Sequence, residues 1–91
     1  MQLEIVSPEA QLFSGEVTSV TVPGASGSFQ ILNNHAPIVS TLVAGRVKIQ
    51  GKISLEEANH VKFTQEGEHT YLDIQSGAIE LSDNKVILLT D

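Results

Sequence analysis

His35, His60 and His69 are the first residues to weigh, because imidazole ligates metals and changes charge near neutral pH. Metal chemistry would need two or three of them at short helical or strand spacing, backed by thiolates or carboxylates. The three lie far apart in the chain, and there is no cysteine to supplement them. No metal site is expected. A Ser/His/Asp triad is not expected either, since no Gly-x-Ser-x-Gly elbow is present and the serines sit mostly at turns, where hydroxyls bond backbone. The run Pro23-Gly24-Ala25-Ser26-Gly27-Ser28 has the small residues of a phosphate cradle. Such a cradle also needs a lysine and a hydroxyl residue opening a helix. Here Phe29-Gln30-Ile31 follows, which is a strand pattern, so Gly24 and Gly27 are expected to supply positive φ in a tight reversal. Glu56 and Glu57 are neighbours that point in different directions on a helix. No catalytic residue, cofactor or small-molecule substrate is therefore expected.

Composition narrows the partners. The chain has 91 residues, a length that suits one domain over 1–91. Eleven acidic residues against five basic ones give a formal charge of −6, which disfavours nucleic acid and anionic lipid as direct partners. Four aromatic side chains, Phe13, Phe29, Phe63 and Tyr71, are too few for a base-stacking platform. The start, Met1-Gln2-Leu3-Glu4, lacks the basic and apolar regions of a signal peptide, and no apolar run is long enough to span a bilayer.

The elements that must position any site are strands. Apolar residues alternate at Leu3/Ile5, Val20/Val22, Val47/Ile49, Leu72/Ile74 and Ile79/Leu81, each pair flanking a polar residue. Turn signals separate them at Ser7-Pro8, Ser14-Gly15, Pro23-Gly24, Ala44-Gly45, Gln50-Gly51, Glu66-Gly67, Ser76-Gly77 and Asp83-Asn84. Short strands punctuated this often imply an all-β sandwich or barrel. Val86–Leu89 is apolar throughout and reads as a strand buried on both sides. Ser54-Leu55-Glu56-Glu57 has the pattern of a capping box, which predicts a short helical insert near 55–63.

One polar corner interrupts this pattern. Asn33 and Asn34 tolerate left-handed backbone, and Pro37 holds Ala36 extended, so the chain bends and carries His35 to the tip. A polar tip on an ordered loop suits a protein interface.

The residues also resemble a known family. Leu3-Glu4-Ile5-Val6-Ser7-Pro8-Glu9 and Leu12-Phe13-Ser14-Gly15-Glu16-Val17 are similar to the start of the epsilon subunit of bacterial F-type ATP synthases. The likeness continues through Val22-Pro23-Gly24-Ala25-Ser26-Gly27-Ser28-Phe29, Leu32-Asn33-Asn34-His35-Ala36-Pro37-Ile38 and Ala44-Gly45-Arg46-Val47, and returns at Ser76–Glu80 and Asn84–Asp91. The resemblance implies a flattened β-sandwich of about ten short antiparallel strands, peripheral on the cytoplasmic face of the bacterial inner membrane and not inserted in it. It implies a non-catalytic rotor subunit that binds gamma and the c-ring and couples proton flow to ATP synthesis. By position, His35 and Ser40 match the gamma contact, and Ser7 and Ser28 match places facing the c-ring. Ser28 stands where relatives usually carry an acidic residue. Relatives commonly continue into a C-terminal helical hairpin that can inhibit hydrolysis or bind ATP. That segment lies outside residues 1–91, so neither role is expected of them. Two other readings remain: a stand-alone β-sandwich protein-interaction adaptor, and a small-barrel enzyme built on the three histidines. The enzyme would need at least two of those rings within about 4–5 Å of each other.

Overall fold

The computed structural model describes residues 1–55 and 62–91 of the chain. Ten strands are formed: β1 (Gln2–Val6), β2 (Gln11–Glu16), β3 (Ser19–Gly24), β4 (Gly27–Leu32), β5 (Ile38–Leu42), β6 (Gly45–Gln50), β7 (Phe63–Glu66), β8 (His69–Ile74), β9 (Gly77–Ser82) and β10 (Lys85–Thr90). Hydrogen bonding links them in the order β2-β1-β10-β9-β5-β3-β6-β8-β7, with β4 on the other side of β3. The join between β5 and β3 is a single pair, Gly24 opposite Leu42, next to a bond from the Val43 N–H to the Pro23 carbonyl of 2.9 Å. The sheet therefore folds over at that point into two layers. One is β2-β1-β10-β9-β5 and the other is β4-β3-β6-β8-β7.

The alternation noted above is what closes the sandwich. Leu3, Ile5, Val20, Val22, Val47, Ile49, Leu72, Ile74, Ile79 and Leu81 are all buried, and they face one another between the layers. Among the described residues each pairing is antiparallel except β1 with β10, which run parallel with Leu3 opposite Val86 and Ile5 opposite Leu88. The first and last strands thus lie side by side.

Three local expectations need correction, and a fourth lies largely outside the described residues. Val86–Leu89 is not buried on both faces: Val86 and Leu88 are wholly buried, Ile87 is half-buried, and Leu89 is 51% exposed. Ser14-Gly15 is not a turn but lies inside β2. A Cβ on Gly15 would stand 3.0 Å from the Phe13 ring, so glycine makes room for that ring. Both Leu12 and Phe13 turn inward because the ladder with β1 slips between Ile5 and Val6. In the β3–β4 reversal only Gly27 has positive φ, 125°. Gly24 is required for space, since a Cβ there would lie 2.7 Å from the Phe29 ring and 2.9 Å from the Gly27 carbonyl. The helical insert expected near 55–63 falls largely on 56–61, outside the described residues. At its described end Phe63 opens β7 rather than closing a helix, and Ile53 and Leu55 pack against the core.

Candidate interaction surface

The corner forms as the turn chemistry requires. The His35 N–H donates to the Leu32 carbonyl at 3.1 Å, and Asn34 adopts φ of 62°, which asparagine tolerates. The His35 ring is exposed, with Nδ1 2.7 Å from the Ala36 carbonyl oxygen. A carbonyl can only accept, so Nδ1 carries the proton in that contact and Nε2 remains the free position of the ring.

What holds the corner in place was not legible in the sequence. The Asn34 N–H donates to Asn84 Oδ1 at 2.8 Å, and Asn84 Nδ2 donates to Asn33 Oδ1 at 2.9 Å. Asn84 sits in the two-residue reversal between β9 and β10, where Asp83 and Asn84 have φ of 50° and 60°. Both positive values suit the hairpin turn that follows strand twist. The Asn84 carbonyl also accepts from the Gln2 N–H at 3.1 Å. The Asp83-Asn84 signal indicated a turn but gave no sign of a cross-link 50 residues back along the chain.

Strand direction sorts the four expected site residues. His35 lies at the corner end of the sandwich. Ser7 follows the far end of β1, where its hydroxyl donates to the Ala10 carbonyl and accepts from the Ala10 N–H. Ser28 lies near the start of β4, also at the end remote from the corner. Ser40 is midway along β5, in the row of Ile79 and Leu88, half-buried, with its hydroxyl on the Thr41 carbonyl. The structure brings Ser40 and Ser28 together: both line an open cleft of about 510 Å³ between the edges of β4 and β5, with Phe29 and Val39. It does not bring His35 or Ser7 into that cleft.

The outer face of the β2-β1-β10-β9-β5 layer carries an apolar strip among polar residues. Val39 is 81% exposed and stands opposite Glu80, which stands opposite the half-buried Ile87. The next row places Thr41, Ala78, Leu89 and Val6 side by side. Lys85 reaches Glu4 at 3.6 Å, and Glu80 lines a shallow cleft with Lys85, Ser82 and Ile87. The outer face of the second layer has Leu32 54% exposed at its β4 edge and a charged pair on β6 and β8. There Arg46 donates to Asp73 at 2.8 Å and lies 5.2 Å from the Tyr71 ring centroid. That bond holds the Asp73 carboxyl below the usual range and raises the Arg46 guanidinium above its own.

The two described histidines do not gather. His69 begins β8, three strand spacings from Leu32 across the second layer, or about 14 Å at the ordinary interstrand distance. His60 lies outside the described residues. Among the described residues no three His, Cys, Asp or Glu side chains gather to hold a metal. No described helix is long and apolar enough to cross a membrane.

Comparison with known proteins follows the same lines. Residues 1–58 match the family described as the ATP synthase delta/epsilon chain, beta-sandwich domain. The chain is 42% identical to the ATP synthase epsilon chain of Chlorobium limicola over 99% of its own length and 88% of that protein's. It is 36% identical to the epsilon chain of Leptospira interrogans over its full length, which spans 61% of that relative. Among solved structures, a chain of the Tetrahymena thermophila mitochondrial ATP synthase central stalk and c-ring superposes with a TM-score of 0.75 at 14% identity. That likeness covers 98% of this chain and 61% of the other and speaks to the fold.

Proposed function

The chain belongs to the ATP synthase delta/epsilon family, and on that premise we propose that it is a non-catalytic central-stalk subunit of a proton-translocating ATP synthase. It binds the gamma subunit and rests on the c-ring, so that rotation driven by proton flow reaches the catalytic head. Its place is peripheral, on the cytoplasmic face of the bacterial inner membrane. Residues 1–91 act as one β-sandwich unit in this role.

The observation that carries the reading is the uncovered apolar strip on the outer face of β5, β9 and β10. Val39 at 81% and Leu89 at 51% exposure are the kind of side chains an obligate partner covers. Gamma lies along β5 and the corner, touching His35 and the edge that carries Ser40. The ring loops meet the opposite end, at Ser7 and Ser28. His35 and Ser7 mark opposed ends for the two partners, while Ser40 and Ser28 share the cleft where the two contacts adjoin. Ser28 offers a hydroxyl and the cleft beside it a set of backbone groups, so the ring contact here is hydrogen-bonded rather than an ion pair.

Val39→Lys tests this. Lysine faces Glu80 across the ladder and leaves folding intact, with stability within about 0.5 kcal/mol of the parent, as for most surface changes. Binding to purified gamma, followed by calorimetry, is expected to fall at least tenfold, and His35→Ala is expected to weaken it less. Unchanged affinity in Val39→Lys would remove the strip from the interface. A wild-type chain that co-purifies from membranes with neither gamma nor the ring would favour a stand-alone adaptor.

A further inference from the structure

We propose that Asn84 is a positioning residue for partner binding: it fastens the corner at 33–37 to the β9–β10 reversal and presents the two loops as one preformed surface. The proposal rests on the stalk reading above, because gamma is the partner whose binding it concerns.

Every polar atom of the Asn84 side chain is committed to the corner. Oδ1 accepts from the Asn34 N–H at 2.8 Å, and Nδ2 donates to Asn33 Oδ1 at 2.9 Å. Asn34 is itself in the left-handed region at φ of 62°, where its N–H cannot join the strand ladder of β4. Without Asn84 that N–H has only water. The five residues from Asn33 to Pro37 are all exposed, and none belongs to the core cluster. The corner's own restraints are the His35 N–H to Leu32 carbonyl bond and the short His35 ring contact with Ala36. Both are local, and the ladders that hold the corner's two ends, Leu32 opposite Ser19 and Ile38 opposite Leu81, do not reach Asn33 and Asn34 themselves. The Asn84 pair does, and its own reversal is anchored by the β9–β10 ladder at Ser82 opposite Lys85 and by the bond from the Gln2 N–H. A loop held in its bound shape beforehand has less freedom to lose on association. The contribution of Asn84 is therefore to affinity, through His35 and its neighbours, and not to the core.

The turn position makes a clean test available. Asn84→Gly keeps the positive φ, which glycine adopts readily, and removes only the side chain. Asn84→Asp keeps the acceptor for the Asn34 N–H, and Asn33 can turn its amide to donate to the second oxygen, so the fastening is retained. Three quantities are measured on each variant of the full chain: thermal unfolding, hydrogen exchange at the Asn34 amide, and affinity for purified gamma. The expected result for Asn84→Gly is an unfolding midpoint close to wild type, faster exchange at Asn34, and affinity lower by about tenfold. Asn84→Asp should restore both exchange protection and affinity. Equal affinity in Asn84→Gly and wild type overturns the proposal while leaving the stalk reading in place. So does a loss of affinity that Asp fails to rescue and that follows a fall in the unfolding midpoint. Failure of the wild-type chain to bind gamma overturns both.

Discussion

At the scale of single residues, this fold depends on where a Cβ can and cannot go. Gly77 opens β9, and a Cβ there would collide with the Leu89 carbonyl of the neighbouring strand, which is backbone and cannot swing away. Gly77→Ala is expected to destabilise the domain by about 1–3 kcal/mol, as overpacking typically does, read as a lower urea midpoint with unchanged slope. Ser76-Gly77 was legible as a turn signal, but the reason for the glycine was not. The same holds for Gly15, whose neighbour Phe13 needs the space. Glycines announce themselves in a sequence, while the contact that demands them comes from another strand. Asn84 is the sharper case: its type fits a turn, yet its side chain serves a corner that only the closed sandwich brings near.

At the scale of strands, the alternating positions were legible because period-2 patterning is local, and the residues it singled out are the buried ones. The pattern failed at β10. Four apolar residues in a row suggested burial on two faces, but Ile87 is half-buried and Leu89 exposed on the outer side. In the role proposed above a partner covers that side, so both faces of the strand would end up dry. The two faces of β10 should then respond differently. Leu88→Ala removes a wholly buried side chain and is expected to cost about 2–5 kcal/mol in chemical denaturation. Strand pairing was not legible either, since nothing local indicates that β1 runs parallel to β10. Nor is the inserted segment judged, because residues 56–61 lie outside those described.

For the molecule as a whole, charge is placed where it tunes stability against pH. The Asp91 carboxylate accepts from the Gln75 and Ser76 N–H groups and the Thr90 hydroxyl, where the chain crosses from β8 in one layer to β9 in the other. Those bonds, that of Gln75 first, hold its carboxyl below the ordinary 3.8. Arg46 does the same for Asp73. A carboxyl depressed in the folded state stabilises it above the unfolded value and loses that effect as pH falls through the folded one. Stability is thus expected to decline below about pH 4, and Asp91→Asn to flatten part of that decline, in denaturant titrations between pH 3 and pH 7. The pattern left sandwich and barrel open, and the count of about ten strands came from the family resemblance. The way the two layers are stitched, at Gly24 and Leu42 beside the Val43 N–H to Pro23 carbonyl bond, was not legible. That stitch has a mechanical consequence. β5 begins beside the corner at Ile38 and ends on the stitch at Leu42. A tug on the corner enters the first leaf through β5 and the second directly through β4, whose last residue is Leu32. Corner and stitch together close a loop that carries load along both leaves at once.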